Sequence, residues 1–212
     1  MKFKTLIIVA MISVLAACAT VYTSQDFSQH QSRHNTVAIL PFRVSIELKK
    51  IPDGVTSDQL RRAEIDEAYV FQKQLYNQLL LQYAKNRYTV SFQDIDRTNI
   101  LLERAGIKYE NISSSTKDEI AKILGVDSII SGQIRREQPM STGAAIFSTI
   151  FLGFSSTNKV NVNMAIHDGA AAQLIWSYDH EVSGGLGSSA EGLAKSLMSG
   201  ISRKFPYNRK NM

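Results

Sequence analysis

The chain has 212 residues, of which 24 are Lys or Arg and 19 are Asp or Glu, and its formal charge of +5 is too mild to point to nucleic acid as a partner. A single cysteine excludes an internal disulfide. The length suits one hydrophobic core or two small ones, and one domain is expected.

Lys2 and Lys4 precede an uncharged run over residues 5–15 and then Leu15-Ala16-Ala17-Cys18. This is the layout of a secretory signal, in which a positive start stays on the cytoplasmic side, an apolar stretch enters the bilayer and small residues admit a peptidase. The stretch falls short of the roughly 20 apolar residues of a spanning helix, and polar residues follow at once. Residues 1–17 are therefore expected to be removed by cleavage between Ala17 and Cys18. The four residues resemble the bacterial lipobox, whose cysteine thiol is acylated and becomes the mature N-terminus. That resemblance implies a covalent lipid of the palmitate class on Cys18 and no other cofactor. An ordinary signal cut after Ala17-Cys18-Ala19 and an uncleaved anchor are the alternatives. Lipidation would also consume a thiol that is a liability in an oxidising compartment. One acyl chain binds a membrane marginally and several hold it firmly; bacterial lipoproteins generally carry three. By resemblance to proteobacterial lipoproteins, Ala19 in place of an aspartate implies the periplasmic face of the outer membrane. Loss of Lys2 and Lys4 leaves 22 basic residues against 19 acidic ones, a charge of +3.

Residues 18–35 carry Ser, Gln, Thr and His with little that is apolar beyond Val21, Tyr22 and Phe27, and read as a flexible linker. Its 17 or so residues would average roughly 20–25 Å end to end and stretch to roughly 60 Å. His30 and His34 lie at helical spacing within it, but no Cys or carboxylate cluster stands nearby, so no metal is expected. A folded α/β domain is expected over 36–205. It opens with Thr36-Val37-Ala38-Ile39-Leu40-Pro41-Phe42-Arg43-Val44, a β-branched run that reads as a buried strand interrupted by Pro41. After a Pro52-Asp53-Gly54 turn, residues 56–86 read as a long amphipathic helix, with Ala68, Phe71, Leu75, Leu79 and Tyr83 on its inward stripe. Tyr88-Thr89-Val90-Ser91-Phe92 reads as a short strand. Asp94 caps a helix carrying Ile95, Ile100, Leu101 and Leu102 up to Gly106. Another helix over 115–124 turns Ile120, Ile123 and Leu124 inward and stops at Gly125. A strand over 126–134 follows, then strands over 160–166 and 174–182 joined at Asp168-Gly169-Ala170. Val160, Val162, Met164 and Ile166 alternate with polar residues, as in an antiparallel pair with one buried face. Ser189 caps a closing helix with Leu193, Leu197, Met198 and Ile201 on one stripe. The order predicts a mixed, mostly antiparallel sheet packed by helices. Arg203, Lys204, Arg209 and Lys210 concentrate at the end, and residues 206–212 read as a solvated basic tail.

Val37-Ala38-Ile39-Leu40-Pro41-Phe42, then Leu124-Gly125-Val126-Asp127-Ser128-Ile129-Ile130-Ser131-Gly132, then Asp168 with Leu174-Ile175-Trp176, resemble in order the periplasmic lipoproteins of the CsgG, LpoB and TolB N-terminal type. The resemblance covers most of residues 36–205. It implies an α/β domain, while the roles in that group divide among secretion-pore subunits, activators of peptidoglycan synthesis and envelope scaffolds, so fold carries over better than function.

Between Glu137 and Lys159 no residue is charged, and an apolar insertion over 138–158 interrupts the strands. Within it Ile146, Phe147, Ile150, Phe151 and Phe154 recur at helical spacing. Exposed, they would form a patch that soluble proteins avoid; folding back over the sheet, a neighbouring subunit and a dip into lipid are the three ways to cover it. Full spanning is not expected, because Ser, Thr and Gly dilute the apolarity and strand alternation is missing.

No catalytic residues are expected. Gly185-Leu186-Gly187-Ser188-Ser189-Ala190 fits a dinucleotide-binding spacing, but only one helix and a tail follow, leaving no second parallel strand and no ribose-binding acid. His167 with Asp168, and Asp179-His180-Glu181, read as surface polar groups of a half-exposed hairpin, since Asp179 and Glu181 face away from His180 on a strand. The expectation is a non-enzymatic lipoprotein of the cell envelope, anchored through its lipid, that binds other envelope proteins and forms a homo-oligomer in one version. A secretion-pore subunit, an activator of peptidoglycan synthesis and a cell-wall hydrolase are the alternatives.

Overall fold

The structure is a computed structural model that describes residues 20–48, 54–138, 159–183, 189–201 and 204–211. Cys18, Ala17 and the apolar side chains Ile146, Phe147, Ile150, Phe151 and Phe154 lie outside the described residues.

The first long apolar run is divided at Pro41, which has no amide hydrogen for a ladder. On either side lie β2 (Thr36–Ile39) and β3 (Arg43–Leu48), and both pair in parallel with β5 (Ser128–Gln138). β3 continues beyond Val44 because the alternation does: Val44 and Ile46 are buried while Arg43, Ser45 and Glu47 face water. The strand expected at 88–92 is reduced to β4 (Ser91–Phe92), parallel to the start of β2. Past the end of β4 the Ile39 carbonyl is covered by a side chain, Gln72 Nε2 donating to it at 2.7 Å and to Asn99 Oδ1 at 3.0 Å.

That glutamine belongs to α2 (Ser57–Tyr83), which begins in a reciprocal cap between Thr56 and Gln59 and buries Ala68, Phe71, Gln72, Leu75 and Leu79. Tyr83 does not join the stripe and is exposed. Three successive four-residue steps from Phe71 carry it about 120° around the helix. α3 (Ile95–Arg104) is capped by Asp94, whose side chain accepts from the Asp96 and Arg97 amides. α4 (Lys117–Leu124) starts with a Thr116–Glu119 capping box and ends at Gly125, left-handed at φ 65°, where glycine pays no Cβ penalty. Ile100 and Ile123 point outward on these two helices.

β6 (Lys159–Asp168) pairs antiparallel along β5, β7 (Leu174–Ser183) pairs antiparallel along β6, and β1 (Val21–Thr23) pairs antiparallel with β7. The seven strands form one mixed sheet in the order β1-β7-β6-β5-β2-β4, with β3 also on β5. α2 and α5 (Ala190–Ile201) cover one face, where Phe42, Phe71, Leu75, Ile134, Val162, Met164, Trp176 and Leu197 share a core. α3 and α4 cover the other face over β2 and the start of β5, through Leu102, Ile120, Leu124, Ala38 and Ile129. The rest of that face is polar. Arg135 pairs with Glu47 at 3.1 Å, Lys159 with Glu181 at 3.4 Å, and Asn163 donates to Asp179 at 2.8 Å. His180 points the opposite way and meets Ser196 on α5 at 3.0 Å.

Two expected boundaries are corrected. Residues 20–35 are not a flexible linker: Val21–Thr23 extend the sheet, α1 (Phe27–Gln31) follows, and Phe27, His30 and His34 are buried. Residues 206–208 are not a solvated tail: Phe205 and Tyr207 lie fully inside the core, and Asn208 bridges Tyr88. Arg209 and Lys210 face water. Both segments look polar in sequence because their polar side chains bond to each other and to the sheet.

The sheet has two distinct ends. β5, β3 and β7 finish, and β6 begins, at one end, where Glu137 pairs with Lys159 and Lys159 with Ser183. The chain before β1 heads the same way, with the Thr20 carbonyl accepting from the Asp179 amide at 3.0 Å. The other end gathers Thr36, Ser128, Asp168 and Leu174. No helix among the described residues is long and apolar enough to cross a membrane.

Candidate functional site: a buried histidine–aspartate cluster

At that second end, groups far apart in sequence converge. Asp168 terminates β6 and is 2 % exposed. Its Oδ2 accepts from the Ala170 and Ala171 amides of the following turn, at 3.1 and 2.8 Å, which aims Oδ1 away from the turn. Two histidines meet Oδ1, His30 Nδ1 at 2.8 Å and His34 Nε2 at 2.9 Å. His30 comes from α1 and His34 from the turn leading to β2, and each is less than a tenth exposed. Helical spacing brings the two rings to one side, 6.4 Å apart at their centroids. Gly169 lets the turn close on the sheet, since a Cβ there would sit 2.7 Å from the Asp127 carbonyl oxygen.

The outer ring nitrogens are held as well. His30 Nε2 lies 3.3 Å from Asp26 Oδ2, and His34 Nδ1 lies 2.8 Å from the Tyr207 hydroxyl, itself 2.8 Å from Ser128 Oγ. Arg33 stands at the mouth, with a guanidinium nitrogen 3.1 Å from His30 Nδ1 and 4.0 Å from Asp168 Oδ1 and its side chain 64 % exposed. The network ties α1, the start of β5, the β6–β7 turn and the C-terminal segment together.

Electrostatics separates the two rings. The hydrogen bond to Asp168 raises His30, against burial and with help from Asp26. Burial lowers His34 despite its own bond to Asp168. For Asp168 burial pushes upward, and the bonds from His34, His30 and the Ala171 amide overcome it and hold the carboxyl at about 2. The proton pattern that satisfies the carboxylate and tyrosine contacts is a charged His30 donating to both Asp168 and Asp26, and a neutral His34 that donates to Asp168 and accepts from Tyr207; it leaves the Arg33 guanidinium and His30 Nδ1 as two donors side by side.

This overturns the reading of His167 and Asp168 as surface groups. Asp168 is the hub of the cluster, and His167 turns partly inward on α4's side of the sheet. Its Nδ1 is buried without a hydrogen-bond partner among the described residues. Burial, aided by Lys117, pushes its imidazole down to about 4. The reason for discounting a metal is overturned too, since His30, His34 and Asp168 each offer one ligand atom and these lie within 4.8 Å of one another. The histidine pair was visible in sequence. Its carboxylate, more than 130 residues on, was not. Asp179 and Glu181 do face away from His180, as strand alternation predicts.

No family model and no curated protein matches the chain. Among solved structures, lipoprotein GNA1162 from Neisseria meningitidis is similar over 80% of this chain and 94% of its own, at 12% identity and a TM-score of 0.42. The PelC dodecamer from Paraburkholderia phytofirmans is similar over 86% and 92%, at 14% identity and a TM-score of 0.43. The LpoB C-terminal domain from Salmonella enterica is similar over 71% and 83%, at 10% identity and a TM-score of 0.35.

Proposed function

We propose that this chain is a lipoprotein of the bacterial cell envelope, held through a lipid on Cys18 at the periplasmic face of the outer membrane. Its α/β body acts without catalysis, by binding other envelope proteins. The observation that carries this reading is Leu15-Ala16-Ala17-Cys18, with its charged start and apolar run, two residues ahead of a backbone that is already part of the sheet at Thr20. Two residues of extended chain reach about 7 Å. A body on so short a leash works at the lipid surface and engages partners there.

The insertion fits the same picture. It leaves β5 and re-enters β6 at the sheet end toward which the chain before β1 also runs. In this reading Ile146, Phe147, Ile150, Phe151 and Phe154 contact lipid or a neighbouring subunit. Apolar side chains held in lipid gain roughly 25 cal/mol for each Å² removed from water, enough for five large ones to fix the body's orientation without spanning.

Fractionation and metabolic labelling test the reading. Cells fed a labelled palmitate analogue should incorporate it into the wild-type chain and not into Cys18→Ala, and Cys18→Ala should move to the soluble periplasmic fraction. A Cys18→Ala chain that stays firmly bound overturns the lipid anchor. Phe147→Ser with Phe151→Ser should leave lipidation intact and weaken crosslinking to partners or lipid; unchanged crosslinks return the insertion to core packing. A large ring of subunits after mild detergent extraction would make the body a pore subunit instead.

A further inference from the structure

We propose that His30, His34 and Asp168 form a binding site for a divalent transition metal of the zinc class. The site is independent of the membrane-anchoring reading and lies at the opposite end of the sheet. Two imidazole nitrogens and one carboxylate oxygen suit zinc rather than magnesium or calcium, which take oxygen ligands. All three donors are buried on an ordered framework, and their ligand atoms lie within 4.8 Å of one another. Zinc bonds to nitrogen and oxygen are about 2.0–2.2 Å, which places tetrahedral donors about 3.3 Å apart. The present Nδ1···Oδ1 and Nε2···Oδ1 distances of 2.8 and 2.9 Å open by about half an ångström to admit the ion.

The surroundings argue for a site rather than a chance meeting of polar groups. A histidine that binds metal through one nitrogen has its other nitrogen fixed by a carboxylate or similar acceptor. Here Asp26 stands on His30 Nε2, and the Tyr207 hydroxyl on His34 Nδ1. Asp168 is fixed in the same way, its second oxygen engaged by two amides so that only Oδ1 faces the rings. With metal bound, His34 carries its proton on Nδ1 and donates it to Tyr207, which turns its own hydrogen toward Ser128. His30 keeps the Nε2 proton on Asp26 and releases the one on Nδ1. Each inner donor then points a lone pair at the ion.

Arg33 stands beside two of the three donors, 3.1 Å from His30 Nδ1 and 4.0 Å from Asp168 Oδ1, where a bound ion would meet it. Its guanidinium supplies positive charge beside Asp168 when no metal does, and its exposed side chain can swing aside. An incoming cation therefore competes with Arg33, and a water takes the remaining coordination place.

The test uses the full-length protein in detergent, without an affinity tag and cleared of metal by chelator. Titration with zinc chloride against a chromophoric chelator should give one ion per chain, and cobalt chloride should give the visible bands of a tetrahedral cobalt centre. His30→Gln should weaken zinc binding by about 100-fold, the order expected for losing one of three ligands. Since a ligand variant can also loosen the fold, Arg33→Ala decides: its removal leaves the three donors in place and should tighten zinc severalfold. Zinc bound equally by wild type and His30→Gln, no tetrahedral cobalt spectrum, or an Arg33→Ala chain that binds no more tightly would each overturn the site.

Discussion

Gly132 sits in β5 opposite Met164, with the ring of Phe42 lying over it. A Cβ at this position would run into the Asn163 carbonyl and the edge of the Phe42 ring. Neither can yield easily, because the carbonyl belongs to the adjacent strand and Phe42 is fully buried against Phe71, ring centroids 4.9 Å apart. Overpacking a well-filled interior costs about 1–3 kcal/mol, and more where backbone must move. Gly132→Ala is therefore expected to lower unfolding stability by at least about 3 kcal/mol, read from a urea midpoint. A loss under about 1 kcal/mol would mean that Phe42 can repack. His180 offers a second test at this scale. It is held against α5 by Ser196 and lies 3.4 Å from the Tyr178 hydroxyl, with Gly200 across from both. Burial lowers its pKa, so the folded chain keeps it neutral at a pH where the unfolded chain, near 6.5, takes up a proton. Stability from this residue is complete above that value and falls as pH drops through it toward the lower folded pKa. His180→Gln should flatten the decline between pH 7 and 5 measured by thermal melts, and an unchanged slope would assign the decline elsewhere.

The C-terminal segment shows at the scale of an element how polar composition conceals packing. Tyr207 is fully buried, and its hydroxyl joins His34 and Ser128. Its carbonyl accepts from the Thr89 amide at 3.0 Å, and the Pro206 carbonyl accepts from Gln31 at 3.0 Å. Truncation after Phe205 should then cost about as much as deleting a large aromatic side chain, about 3–5 kcal/mol, or on the order of 10 °C in melting temperature for a chain of this size. A merely solvated tail would be lost without effect. Elements with a local signal were legible. The period of α2, the caps of α3 and α4 and the alternation in β6 come from residues a few positions apart, and each reappears within a few residues of its expected limits. Strand β1, helix α1 and residues 206–208 were not legible, because His30, His34 and Gln31 find their partners more than 130 residues away. A short-range pattern sees those side chains only as hydrophilic. β3 is a different kind of miss, since the alternation of Val44, Ile46 and Leu48 was present in the sequence beyond Pro41.

For the whole molecule, these corrections change what an anchor on Cys18 would do. A 17-residue coil would let the body roam roughly 20–25 Å from its lipid, whereas a body whose backbone joins the sheet at Thr20 would keep the start of β1 within about 10 Å of that residue. The edge strand and the ends of β3, β5 and β7 then approach the lipid surface, while the histidine–aspartate cluster points away from it across the length of the sheet. β5 alone spans 11 residues, about 36 Å at strand rise. Tyr22, exposed on the edge strand at 47 %, is a suitable reporter. A photocrosslinking residue in its place should label lipid in cells, and the same residue should lose most of that labelling when a 15-residue Gly/Ser segment is inserted between Ala19 and Thr20. The insertion leaves β1 and its pairing with β7 unchanged, so a folded, membrane-bound variant with reduced labelling isolates the leash as the cause. Equal labelling with and without the segment would mean that contacts of the body itself, rather than the short covalent tether, hold this edge at the membrane.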